Sequence, residues 1–226
     1  EVVKAIIDAP FSHNIAAGLR HLLIGENPLE IERLWQKMLK GTIYFGRTSV
    51  TISAMAAVDM ALWDLKGKHY SEPIHRLLGG KQHSRIKAYA SILFGKDGEH
   101  TADIGRRWIE AGYQAVKFGW EPMGRNEQLD IEDGTVLIDA GCVWDARTAL
   151  KRAHSFAAYD IGWLEEPLRQ EDVDGYLWLR DRSPVPIAAG EGECGRESFR
   201  PLIDRRALDI YQVDISRCGF NDAAYI

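Results

Sequence analysis

Apolar positions recur at helical spacing through the first eighty residues, then change to short uninterrupted runs. Ile15, Leu19, Leu22 and Leu23 form one stripe, and Gly25 ends it. Pro28 is predicted to open a second helix as a first-turn proline. Ile31, Leu34, Trp35, Met38 and Leu39 share its apolar face, and Gly41 lies just past its end. The segment 42–47 (TIYFGR) reads as an aromatic loop. Ser49 or Thr51 then caps a third helix through Ala54, Ala57, Val58, Ala61, Leu62 and Leu65, closing at Gly67. Its alanine-rich face predicts close packing against another element. A turn from Pro73 to Gly80 ends this block.

From Arg85 onward, strand-like runs alternate with helical stretches. The runs cover 86–91, 115–120, 135–141, 161–167, 186–191 and 209–216, with helices predicted over 144–159 and 198–208. Strands that are apolar throughout and separated by helices belong to a parallel sheet covered on both faces. An open doubly wound sheet concentrates its chemistry after a glycine-rich first turn, and no such motif follows the first strand run; the one GxGxxG match, at 190–195, follows the fifth, and GxxxxGKS does not occur. Instead most runs end on a charged residue: Lys117, Asp139, Glu165, Glu191 and Asp214. A barrel builds its site this way, from many strand ends around one mouth. The expected architecture is therefore α/β, a (β/α) barrel of the TIM type with about six strands here, behind a mainly helical capping domain. Residues 1–80 would form part of the cap and residues 81–226 the barrel.

Composition narrows the partners. With 28 Lys and Arg against 33 Asp and Glu, the net charge is −5, and no basic run offers a nucleic acid or an anionic membrane a surface. No apolar stretch approaches the roughly 18 residues of a membrane span. Three cysteines are too few for a disulfide scaffold and favour a reducing, cytoplasmic setting. The chain starts at Glu1 rather than Met and stops soon after Asn221 and Asp222, a predicted helix start. Both ends therefore read as cut. The short interval from Lys117 to Asp139 suggests a further loss between Met123 and Gly134.

Asp139, Glu165 and Glu191 are separated by equal intervals of 26 residues. One acid per repeat puts the three at the same height on consecutive strands. Three carboxylates do not share a mouth as anions without a compensating cation. A hard divalent ion resolves this, and oxygen ligands with room for water suit Mg²⁺. The competing reading, ordinary polar strand ends, explains any one of these acids but not the repeat.

Two segments carry a family resemblance. Residues 54–80 (AMAAVDMALWDLKGKHYSEPIHRLLGG) and the stretch from IDAG at 138–141 to WLEEP at 163–167 resemble the enolase superfamily, in its mandelate racemase and muconate lactonizing enzyme branch. AAGEGE at 188–193 and QVDISRCG at 212–219 resemble that branch's fifth and sixth strands. The resemblance implies that Asp139, Glu165 and Glu191 bind Mg²⁺, which holds a substrate carboxylate and stabilises an enediolate after loss of the α-proton. It also implies that Lys117, the first lysine of a Lys-x-Lys pair, is an electrostatic stabiliser. Asp214 would orient a histidine from a seventh strand. Departures are Gly141, where relatives carry Asn, and Gly119, where relatives keep a base.

A single base without an opposing lysine favours dehydration of an aldonate or aldarate to a 2-keto-3-deoxy acid, so the chain is expected to be a hydro-lyase. Racemase, epimerase or cycloisomerase activity of the same branch is the alternative, and a non-catalytic binding relative the alternative from another class. An aldolase or phosphate-binding barrel is a further rival. The expected partner is a small acid sugar, and the resemblance also implies a homo-oligomer. Tyr44 and Arg47 on the aromatic loop, Glu193, and Arg217 beside Asp214 are candidate substrate contacts, each of which reads equally as a solvated or locally paired side chain. Cys142, Cys194 and Cys218 read as packing residues rather than ligands, and Trp120 and Trp144 as apolar wall.

Overall fold

The computed structural model of the chain describes Ile7, residues 18–44, Gly46, Thr48, residues 50–119 and residues 135–226, all but the side chain of Thr135. These residues form two compact units. One comprises 1–84, 191–201 and 213–226, and the other 85–190 and 202–212.

Helices dominate the first unit. Helix α1 spans Leu19–Leu23, α2 Ile31–Gly41, α3 Val50–Tyr70 and the short α4 Ile74–Leu77. The apolar face of α2 is buried at Ile31, Leu34, Trp35 and Met38, as its spacing predicts. Its start is three residues later than Pro28. The Asn27 side chain accepts the Leu29 N–H at 3.1 Å and holds that stretch in a turn. At the other end the Thr42 hydroxyl donates to the Met38 carbonyl at 2.9 Å. Leu19, Trp35, Met38, Ile52, Ala54, Met55 and Cys194 share one core.

Gly67, predicted as the end of α3, lies inside it. A Cβ there would stand 2.9 Å from the Glu72 carbonyl oxygen, and Glu72 N–H donates to the Gly67 carbonyl at 2.9 Å. The glycine lets the chain double back against its own helix rather than ending it.

The second unit carries a six-stranded parallel sheet in the order β1 to β6. The strands are β1 (Ala90–Leu93), β2 (Ala115–Gly119), β3 (Thr135–Asp139), β4 (Trp163–Glu165), β5 (Ile187–Ala189) and β6 (Ile210–Tyr211). Sequential order without a switch point is that of a TIM-type (β/α) barrel, so the expected fold class is met. Helices α5 (Gly98–Glu110), α6 (Ala146–Phe156) and α7 (Val173–Arg180) fill the connections from β1 to β2, β3 to β4 and β4 to β5. Asp97, Asp145 and Asp172 cap them, each accepting a backbone N–H three residues on. Helix α8 (Arg196–Asp204) follows β5, and α9 (Ile215–Ala223) follows β6.

Val116, Phe118, Val136, Ile138, Leu164 and Ile187 are buried with Ala149, Ala153, Tyr176 and Leu179 of the helices. Their alternates point to the other face of the sheet. Gly119, Asp139 and Glu165 stand in one register row, and Lys117, Leu137 and Trp163 in the row two residues before it. The strands are shorter than the apolar runs that announced them. The runs continue into loops that stay buried, as at Ala140 and Ile161. Met123 to Gly134 lie outside the described residues.

Candidate metal centre

Strand geometry places the acids. Asp139 and Glu165 are neighbours on β3 and β4 with side chains on one face, because directly paired residues of adjacent strands point the same way. Glu191 lies two residues past β5, joined by one peptide bond to Gly190, whose φ of 123° turns the chain and breaks the strand's alternation. Asp139, Glu165 and Glu191 each offer an oxygen, and these oxygens lie within 4.8 Å of one another.

Lys117, two residues earlier in register and on the same face, reaches forward into this group. Its Nζ donates to Glu165 Oε1 at 2.5 Å and to Asp139 Oδ2 at 3.4 Å. Glu165 is fully buried, and Lys117 and Asp139 nearly so. Burial would lower the Lys117 pKa, but the hydrogen bond and charge of Glu165, then the charge of Asp139, outweigh it and hold the ammonium above its ordinary value. Burial first, then the Glu165 charge, raises the Asp139 carboxyl above the usual carboxylate range. The Gly141 N–H, accepted by Asp139 Oδ1 at 3.0 Å, opposes that shift without cancelling it.

Three carboxylates therefore offer oxygens to one point, with the Lys117 ammonium on two of them. This donor set fits a hard divalent cation.

One further side chain binds one of these acids, and residue-type patterns alone had not singled it out. Trp163 Nε1–H donates to Glu165 Oε2 at 3.0 Å. The signal was present: positions two apart on a strand share a face. Glu166, next to Glu165, has a φ of 42° and is buried. Its carboxylate accepts the Gly190 N–H at 3.0 Å and the Cys142 thiol at 2.7 Å. It thus ties the ends of β3, β4 and β5 together. Cys194 and Cys218 are buried, and all three cysteines are free thiols.

Gly119 is explained by its neighbour. A Cβ at this position would stand 2.9 Å from Asp139 Cβ and 3.0 Å from its Oδ2. The place where relatives keep a base is, in this chain, taken up by a close approach to an acid of the cluster.

Asp214 precedes α9, where its Oδ1 accepts the Ser216 N–H at 2.7 Å and its Oδ2 lies 3.6 Å from Arg217 Nε. Arg217 is exposed and Glu193 half-buried; the Glu193 carbonyl accepts from the Cys218 thiol at 3.8 Å. Tyr44 is almost fully exposed. Arg47 and Trp120 lie outside the described residues. The described histidines are on helices or, for His83, in a loop; none is at a strand end. No helix among the described residues is long and apolar enough to cross a membrane.

Residues 100–225 match the family described as "Enolase C-terminal domain-like", and residues 7–79 that described as "Mandelate racemase / muconate lactonizing enzyme, N-terminal domain". The D-galactarolactone cycloisomerase of Agrobacterium fabrum is 31% identical over 213 residues, 87% of this chain and 55% of that protein. The L-rhamnonate dehydratase of Saccharopolyspora erythraea is 31% identical over 217 residues, 93% of this chain and 56% of that protein. A racemase from Streptomyces coelicolor A3(2), solved with bound magnesium, superposes with a TM-score of 0.83 at 26% identity, over 92% of this chain and 61% of that one. The chain spans about half the length of the curated relatives it matches.

Proposed function

The chain belongs to the enolase superfamily, in its mandelate racemase and muconate lactonizing enzyme branch, and from that premise we propose that Asp139, Glu165 and Glu191 hold one Mg²⁺ in an enzyme that removes the proton α to a carboxylate of an acid sugar. The observation that carries the proposal is the triad of carboxylates, two of them buried, whose oxygens lie within 4.8 Å of one another. When bound, the ion supplies positive charge for a substrate carboxylate, whose α-proton is otherwise very weakly acidic.

The chain's own residues do the rest. Lys117 is held charged and points an ammonium into the cluster, where it would stabilise negative charge developing on substrate oxygen. Asp214 would orient the imidazole that takes the proton. Gly119 leaves the opposite side without a lysine base, and this supports dehydration over two-base racemisation. One group can then remove the α-proton and return it to the departing β-hydroxyl. Dehydration of an aldonate or aldarate to a 2-keto-3-deoxy acid is the activity proposed. Cycloisomerisation is the second reading, supported by the equal identity to the Agrobacterium fabrum enzyme.

The test is incubation of the protein with Mg²⁺ and a panel of aldonates and aldarates in D₂O. The expected result is a 2-keto-3-deoxy acid from at least one member. Isomeric products alone would replace dehydration by the second reading. Absence of both product and α-deuterium exchange across the panel would reject proton abstraction altogether.

A further inference from the structure

Glu165 is held by two donors of different kinds. Lys117 reaches Oε1 from a flexible four-carbon stem and is within reach of Asp139 as well, so it can move as the charge around it changes. The Trp163 indole cannot. It sits on the same strand two residues before Glu165, on the same face, and its ring lies edge-on against Tyr89 with centroids 5.6 Å apart and planes at 80°. Its N–H does not titrate and donates to Oε2 at 3.0 Å. The positive end of that N–H dipole occupies the approach a cation would take to Oε2.

We propose that the Trp163 indole N–H keeps Glu165 a one-oxygen ligand and so makes the triad prefer Mg²⁺ over Ca²⁺. The inference rests on reading the triad as a divalent-ion site. The two ions differ in what they ask of a carboxylate. Ca²⁺ gathers about six to eight oxygens and commonly takes both from one carboxylate, whereas Mg²⁺ demands a near-octahedral shell and takes one oxygen from each. A donor fixed on Oε2 costs Mg²⁺ nothing and removes an oxygen from the set open to Ca²⁺. The same hydrogen bond orients the carboxylate plane, a role such outer partners of metal ligands commonly play. Trp163 is therefore a positioning residue with a consequence for selectivity.

The experiment is calorimetric titration of the metal-stripped chain with Mg²⁺ and, separately, with Ca²⁺, in wild type and in Trp163→Phe. Phenylalanine keeps an aromatic ring against Tyr89 and lacks the donor. The expected result is an Mg²⁺ affinity lowered about tenfold, with Ca²⁺ affinity unchanged or raised. The ratio of the two dissociation constants then shifts by about tenfold or more toward Ca²⁺. A ratio unchanged within about twofold would overturn the proposal, whether both affinities fell together, as a packing defect would produce, or neither moved. Wild-type protein that bound neither ion would overturn this proposal and the metal reading beneath it; a variant with an unchanged ratio would overturn this one alone.

Should the Phe variant not fold, the same ratio is read from protein whose tryptophans are replaced by benzothienylalanine, which keeps the bicyclic shape and has sulfur for N–H. Trp35 and Trp63 are little affected by that exchange, since their buried N–H groups have no acceptor among the described residues. The same two outcomes decide it.

Discussion

Lys117 shows how one side chain bears the electrostatics of the cluster. Its ammonium is the cation that Glu165 and Asp139 both contact, and all three are buried. Removing one member of a buried ion pair leaves the other uncompensated, at a cost of about 3 kcal/mol or more. Lys117→Met is therefore expected to lower the unfolding free energy of the metal-free protein by about that amount, and Mg²⁺ should restore part of it. Urea unfolding in EDTA and in Mg²⁺ measures both quantities; equal stability of the two proteins in EDTA would contradict this account. Gly119 makes the complementary case. Because its absent Cβ is the space Asp139 uses, Gly119→Ala must push that carboxylate aside. A tenfold loss of Mg²⁺ affinity, roughly what displaced support of a ligand costs, is expected by calorimetry. An unchanged affinity would show that the acid relaxes freely.

Among the elements, α9 is anchored to α3 by one buried carboxylate. Helix α9 is broken at Gly219, with φ 69° and ψ 170°, and resumes at Phe220. Asp59 of α3 accepts the Asn221 N–H at 3.0 Å and caps the resumed helix. A Cβ at Gly219 would stand 2.7 Å from Asp59 Oδ2, so the break and the cap require each other. Burial raises the Asp59 carboxyl to about 6, with the charges of Asp222 and Glu32 adding to it against the backbone hydrogen bonds. Between about pH 6 and the ordinary value of 3.8, the folded state holds a proton that the unfolded chain releases. Stability relative to Asp59→Asn should then rise as pH falls from 7 to about 4.5, by about 2 kcal/mol. Denaturant unfolding of both proteins at the two pH values measures this, and a constant difference between them would refute it.

Asp59 was legible in the sequence only as part of a motif, because its partner is 162 residues away and no periodicity links them. The acids at the ends of β3 and β4 were legible for the opposite reason, since a charge closing a run buried on both faces stands out. The strand limits were not. Apolar runs record burial, whereas strands end where hydrogen-bond pairing ends, so the run at 209–216 yields a strand of only two residues. Gly67 misled in the same way, because a helix-ending glycine and a close-approach glycine are the same letter.

At the scale of the whole molecule, the cluster sets function against stability. A protein selected for stability alone would not bury Asp139 and Glu165 side by side with a third carboxylate within 4.8 Å; the raised Asp139 carboxyl reflects the penalty. That penalty is the driving force for taking up a cation, so the two properties should invert together. Asp139→Asn keeps the shape, leaves the Lys117–Glu165 pair in place and removes one buried negative charge. Without metal, the variant is expected to be more stable than wild type at pH 7, because burial and the Glu165 charge penalise the Asp139 anion. Saturating Mg²⁺, at about a hundred times its dissociation constant, should stabilise wild type by about 2.7 kcal/mol and the variant far less. The order of stability then reverses between EDTA and Mg²⁺. Thermal unfolding of the two proteins under both conditions gives the four values needed. If Asp139→Asn were the less stable in EDTA, Asp139 would be contributing to the fold through its hydrogen bond to Gly141 more than it costs through its charge.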